Sequence, residues 1–195
     1  MALRKVKSSL SLVALGLLAE QPLHPYAMRT LMRERGHERT VRAGGASLYD
    51  AVRRLEQAGL IEVQSSSREG RRPERTTYRI TAAGLRELQA WVSAGLAELD
   101  SPETFQTAIA FMYVVGKDQT TDLLGQRVTT LEALIERADA GLGEAAENVP
   151  AIFLSEERYA QHMRTAERDW VARFVNELRS GQLAWPRPRA ARAGG

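Results

Sequence analysis

GGASLYDAVRRLEQAGLI, residues 44–61, reads as one short helix with both ends marked. Ser47 stands where an N-cap belongs, its side-chain oxygen accepting a first-turn N–H that has no carbonyl partner, and the glycines before it let the chain turn in. Gly59 supplies the stop. A glycine just past a helix adopts the left-handed conformation, and Leu60 then folds back toward Leu55 in a Schellman ending. With about 3.6 residues per turn, Leu48, Ala51, Val52 and Leu55 share one stripe, and Ala46, Tyr49, Asp50, Arg53 and Gln57 lie opposite. Any surface helix has an apolar stripe and a polar back, so this stretch takes its meaning from what flanks it.

Downstream, Ile61, Val63, Tyr78 and Ile80 alternate with polar residues at period two. Between them residues 65–75, SSSREGRRPER, are too polar to bury and are broken by Gly and Pro, the pattern of a hairpin with a long basic tip. Upstream, Leu10, Val13, Ala14, Leu17 and Leu18 form the stripe of a core helix over residues 9–20, capped by Ser8 or Ser9 and ended before Pro22. A second helix begins near Pro25, whose fixed φ suits a first helical position, and is expected to bury Tyr26, Met28, Leu31 and Met32 before Gly36 stops it. His24 reads as a cap or a surface residue. Residues 36–45, polar and glycine-rich, deliver the chain into the third helix, with Arg39 and Arg42 facing phosphate or only water. Three helices and a basic hairpin, in that order, make a winged helix-turn-helix. In that layout the third helix enters the major groove and the hairpin reaches an adjacent phosphate backbone or minor groove.

Thr81 is a natural cap for a fourth, linking helix with Leu85, Leu88, Val92, Leu96 and Leu99 in helical spacing. At residues 100–103, DSPE, a cap, an N1 proline and a dipole-favoured acid reset the chain. The expected division is therefore a winged-helix domain with linking helix over residues 1–100, a helical domain over 101–182 and a disordered tail over 183–195. Residues 105–115 are apolar on nearly every side and read as a buried helix ending at Gly116. Leu124, Val128, Leu131, Ile135, Ala138 and Leu142 then step by alternating fours and threes, a seam that stays against a partner helix. Tyr159, Met163, Ala166, Trp170, Phe174 and Leu178 form a second stripe, and the break at residues 141–150 lets the two helices pack antiparallel. These stripes can close within one chain. Beside a duplex reader they serve better as a homodimer interface, through Leu124, Val128, Leu131, Ile135, Tyr159, Met163, Trp170 and Phe174, because two reading helices then meet two half-sites.

The fold class expected is mainly α, an N-terminal winged helix-turn-helix with a two-stranded β-hairpin wing and an all-helical C-terminal dimerisation domain. Charge is divided accordingly: residues 1–100 carry 16 Lys and Arg against 11 Asp and Glu, and residues 101–183 carry 8 against 13. A basic front module suits a polyanionic partner, although ordinary solubility also accounts for it. The chain has no cysteine, hence neither disulfide nor thiolate metal site. Arg4, Lys5 and Lys7 before an apolar run mimic a secretory signal. The helical stripe within that run, and bulky Leu17 where a cut after Ala19 wants a small residue, argue against one, and the run is too short for a bilayer. A cytoplasmic protein is expected.

No glycine-rich phosphate loop and no paired-His spacing among His24, His37 and His162 points to catalysis, and no cofactor or metal is expected. Glu156, Glu157 and His162 read as a solvated helix start. Trp91, and Trp170 with Phe174, have the flat walls that suit a small planar or aromatic effector, and core packing explains them equally well.

SLYDAVRRLEQAGLIE followed by EGRRPERTTYRITAAG resembles the winged-helix signature of PadR family transcriptional regulators, and LGLLAEQPLHPYAM looks like the first two helices of that fold. The resemblance spans residues 10–97. Beyond residue 101 it is one of layout, to the longer subgroup whose helical C-terminal region mediates dimerisation. Many members have Gly where Pro25 stands before Tyr26, a change that a helix start tolerates. The resemblance implies a DNA-binding repressor that often responds to a small molecule such as a phenolic acid or toxic compound. Carried onto this chain, the DNA-contacting positions are Ser47, Tyr49 and Arg53 in the reading helix and Arg68, Arg71, Arg72 and Arg75 in the wing. Tyr49 has a packing role as its alternative, and Arg54 is expected to pair with Glu34 or Asp50. The alternative for the whole chain is a winged helix that binds protein and has no operator of its own.

Overall fold

The computed structural model describes residues 7–39, 47–67 and 75–186. These form helices α1 (Ser9–Glu20), α2 (Pro25–Glu34) and α3 (Leu48–Gln57), strands β1 (Ile61–Ser67) and β2 (Arg75–Ile80), and helices α4 (Ala82–Ala97), α5 (Pro102–Ala110), α6 (Lys117–Ala146) and α7 (Ser155–Ser180). Short 3-10 turns lie at His37–Arg39, Met112–Val114 and Ala151–Leu154. The fold is mainly helical with a two-stranded antiparallel sheet, a winged helix followed by a helical C-terminal region. It divides into two compact units, residues up to Gly95 with Leu99–Val115, and Leu96–Glu98 with Gly116–Pro186. The cap and proline at residues 101–102 open α5, which packs in the first unit, and the long helices of the second begin after Gly116.

In the first unit α1 is the central cylinder. Ser8 caps it, accepting the Ser11 N–H at 3.1 Å. Every residue from Ser11 to Leu18 is buried, so the one-sided stripe expected here is replaced by burial around the whole circumference. The cause is that α2, α3, α5 and β2 all pack on α1, and a helix apolar all round is stable only when enclosed. At the head of α2, His24 Nδ1 accepts the Tyr26 N–H at 3.0 Å. Met28 and Met32 face inward at i, i+4 and Leu31 is half-buried, but Tyr26 is 70% exposed, against the burial expected for it. Two residues before Met28 is nearly the opposite side of a helix.

The hairpin pairs Ile61 with Ile80 and Val63 with Tyr78, and a bulge between Val63 and Ser65 shifts the register before Ser65 meets Thr77. Leu23 and Tyr78 exchange two backbone hydrogen bonds of 3.0 Å, so the loop between α1 and α2 contributes a one-residue third strand. The expected helix over residues 105–115 ends at Ala110 and finishes in a 3-10 turn before Gly116, whose φ is +97°. The Phe111 ring lies against Gly16 of α1, in space that any side chain on Gly16 would fill.

The second unit is an antiparallel helix pair: Arg127 meets Glu167 and Ile135 meets Gln161, residue sums that stay nearly constant along α6 and α7. Leu124 and Leu131 close on the inside. Arg127, 2% exposed, donates to Glu167 Oε1 at 2.7 Å and to the Glu98 carbonyl at 2.6 Å, so its buried charge is both paired and hydrogen-bonded. Of the expected α7 stripe, Leu178 alone is buried. The buried side of α7 is Gln161, Val171, Val175 and Leu178, whereas Tyr159, Met163 and Trp170 are 68%, 49% and 40% exposed and Phe174 is half-buried. Gln161 is accommodated inside because its amide donates to the Ile135 carbonyl and Asp139 Oδ1, each at 2.8 Å.

Tyr113 joins α5's exit to α1: its hydroxyl donates to Glu20 Oε1 at 3.0 Å, with the Gly16 carbonyl 3.3 Å away, and Arg35 grips the same carboxylate at 2.6 and 2.8 Å. Burial, then the negative Glu20, push the Tyr113 pKa well above its ordinary value. A phenol held neutral by the fold favours folding below its unfolded pKa of 10.0, and that contribution is lost as pH rises beyond it. Tyr113→Phe is expected to flatten the decline of stability between about pH 10 and pH 12, measured by urea unfolding; the wild-type slope in the variant would refute this.

Candidate nucleic-acid interface

α3 is built as its residues require. Asp50 N–H donates to Ser47 Oγ at 3.2 Å, the N-cap bond, and the Ser47 hydroxyl donates to Asp50 Oδ2 at 3.0 Å. At the far end Gly59 has φ +70°, its N–H reaching the Glu56 carbonyl at 2.9 Å and the Leu60 N–H the Leu55 carbonyl at 3.0 Å, which is the Schellman pair. Ala51, Val52 and Leu55 are buried on one side, and Leu60 closes beneath them. Thr81 then ties the module together. Its hydroxyl donates to the Gly59 carbonyl at 2.8 Å while accepting the Gly84 N–H at 3.0 Å, capping α4.

The opposite face of α3 is open. Tyr49 is 52% exposed, and Arg53 and Gln57 are exposed beside it. Arg53 Nη2 donates to Asp50 Oδ1 at 2.8 Å. Arg54 pairs with neither Glu34 nor the Asp50 carboxylate; its Nε donates to the Asp50 main-chain carbonyl at 3.2 Å. Asp50, expected on the polar side of α3 and as a partner for Arg54, therefore joins Ser47 to Arg53, and Tyr49, Arg53 and Gln57 are exposed on that side. The S-x-x-D spacing, close to that of a capping box, was the available signal. Arg68, Arg71 and Arg72 lie outside the described residues, and Arg75 opens β2 opposite Ser67.

The tryptophans differ. Trp91 is buried in α4, and Trp170 stacks on Phe174 with ring centres 5.0 Å apart and planes at 11°. An open groove of about 610 Å³ between α6 and α7 is lined by Asp122, Gln126, Val128, Thr129, Asn176 and Arg179 among others, and neither tryptophan lines it. Among the described residues no group of three His, Asp or Glu could hold a metal ion, and no helix is long and apolar enough to cross a membrane.

Three helices, the third with an exposed polar side, and a two-stranded hairpin define a winged helix-turn-helix fold. Residues 14–90 match the family model described as Transcriptional regulator PadR-like family, and this part of the chain is a PadR-like domain. No curated protein matches the chain. Among solved structures, it is similar to Bacillus subtilis PadR in complex with operator DNA, at 18% identity over 88% of this chain and 99% of that one, with a TM-score of 0.41. The smu.1604c protein of Streptococcus mutans follows at 17% identity, 85% and 98% coverage and a TM-score of 0.40. Bacillus subtilis PadR in complex with p-coumaric acid gives 15%, 88% and 99%, and 0.38.

Leu55 seats the open face by filling the core beneath it. Leu55→Ala is expected to lower stability by about 2–5 kcal/mol in urea unfolding; a variant as stable as the wild type would show that α3 is not anchored there.

Proposed function

We propose that the chain is a sequence-specific, DNA-binding transcriptional regulator, a cytoplasmic homodimer that represses by occupying its operator and is released by a small planar or aromatic effector. The open face of α3, on a PadR-like domain, is the observation that carries this. On a duplex, Ser47 and Tyr49 offer hydroxyls to phosphate near the helix N-terminus, and Arg53 offers donors to guanine O6 and N7 or to phosphate. Arg68, Arg71, Arg72 and Arg75 supply the wing's cations, which neutralise flanking phosphates irrespective of sequence. In mobility-shift assays on DNA selected from the source genome, the protein is expected to give a retarded band with a log–log salt slope of roughly −0.9 per phosphate neutralised. Arg71→Ala with Arg72→Ala flattens that slope by about one unit per lost contact and weakens binding on every sequence. A blank assay at modest salt would favour a protein-binding winged helix instead.

Pairing is assigned to the second unit. Leu124 and Leu131 serve the chain's own hairpin, which leaves the outward apolar residues Tyr159, Met163 and Trp170 of α7, with half-buried Phe174, Val128 and Ile135, for a second copy. Two α3 helices then meet half-sites about 34–36 Å apart, and the bound dimer obstructs the promoter. Release requires an effector with different affinities for the two arrangements of the dimer. Of the candidate aromatics, Trp170 has the accessible ring. Tyr159→Glu with Met163→Glu is expected to turn a dimer into a monomer in sedimentation equilibrium; a dimer that persists would move the interface elsewhere.

A further inference from the structure

Asp50 holds both polar side chains that flank it on the outer face of α3. Its Oδ2 accepts the Ser47 hydroxyl at 3.0 Å and its Oδ1 accepts Arg53 Nη2 at 2.8 Å. The pair is accessible, with the Arg53 side chain 66% and the Asp50 side chain 47% exposed. A positive and a negative charge thus cancel where a polyanion would arrive. A phosphate gains little there, because it must displace a carboxylate that already satisfies the guanidinium and must approach that carboxylate's own charge. A guanine edge meets a different situation. It offers two neutral acceptors, O6 and N7, to an exposed guanidinium fork that Asp50 holds through Nη2. Holding the fork in place also reduces the side-chain freedom lost on contact.

We propose that Asp50 is a specificity-determining residue of the reading helix: it orients Arg53 toward a base edge and withholds it from phosphate, so that the domain prefers its operator over bulk DNA. This rests on the DNA-binding function proposed above. Asp50 also sits in the first turn, where a carboxylate favours the helix dipole and the cap, so the test must separate helix support from selectivity. Asp50→Asn keeps the size and an acceptor for Ser47 while removing the charge, and Asp50→Ala removes both.

Full-length wild type and both variants are titrated by fluorescence anisotropy against the genome-selected operator and a scrambled duplex of equal length, at several salt concentrations, with thermal unfolding followed alongside. The expected result is that Asp50→Asn binds the scrambled duplex more tightly with a salt slope steeper by about one unit. Its preference for the operator falls on the order of tenfold, and Asp50→Ala moves the preference the same way. If both duplexes weaken together and the preference and slope stay at wild-type values, Asp50 is only a helix support and the proposal is overturned. A wild type that selects no sequence overturns the DNA-binding function itself, whereas a selective wild type with equally selective variants removes Asp50's role alone.

Discussion

The junction of Gly59 with Thr81 is the constraint on which the winged helix depends. A left-handed backbone at Gly59 turns the Leu60 N–H back to the Leu55 carbonyl, which ends α3 and starts β1 on the correct face. The carbonyl of the same glycine receives the Thr81 hydroxyl, and Thr81 is the cap of α4. One turn therefore sets three directions, those of α3, the hairpin and α4. Gly84 completes it, since its absent side chain lets α4 lie directly on the Leu60 carbonyl. A residue with a Cβ at position 59 would strain the backbone, and one at position 84 would meet main chain that has nowhere to go.

With that scaffold in place, the outer face of α3 is defined by what Asp50 does with its two oxygens. Serine and arginine, spaced three residues on either side, are drawn to one carboxylate, so the face is ordered before any partner arrives. The second unit handles polarity differently. It buries Arg127 and Gln161 with satisfied partners inside a helix pair and turns its large aromatic and thioether side chains outward. The interior of the pair is otherwise apolar, built from Leu124, Leu131, Val171, Val175 and Leu178, so the outward aromatic and thioether groups are apolar surface in excess of what the pair's own core uses.

The features legible in the sequence were those with local causes. Ser8, Ser47, Thr81 and Ser101 announce helix starts because a hydroxyl satisfies first-turn donors, and Gly36 and Gly59 announce stops because only glycine turns left-handed at little cost. Features set by distant contacts were not. The α7 stripe was read from its largest side chains, but Val171 and Val175 have the same spacing one residue on, and only the presence of α6 decides between them. The strand at Leu23 consists of one residue, too short to alternate, and α1 is enclosed by elements that its own sequence does not mention. At the candidate interface, the Ser47 cap was legible from residue type and the outward side of Tyr49 and Arg53 from helical spacing, while Asp50's hold on Ser47 and Arg53 appears only when side chains are placed.

The sheet has one further property. Leu23 covers β2 at Tyr78, whereas among the described residues no strand pairs with the outer edge of β1. That edge carries exposed Glu62, Gln64, Ser65 and Ser66, and a bulge kinks it after Val63. An open strand edge invites edge-to-edge pairing with a strand of another molecule, and charge, short polar side chains and a kink are means by which natural proteins discourage it. Along its described length, β1 thus has an edge unsuited to sheet extension.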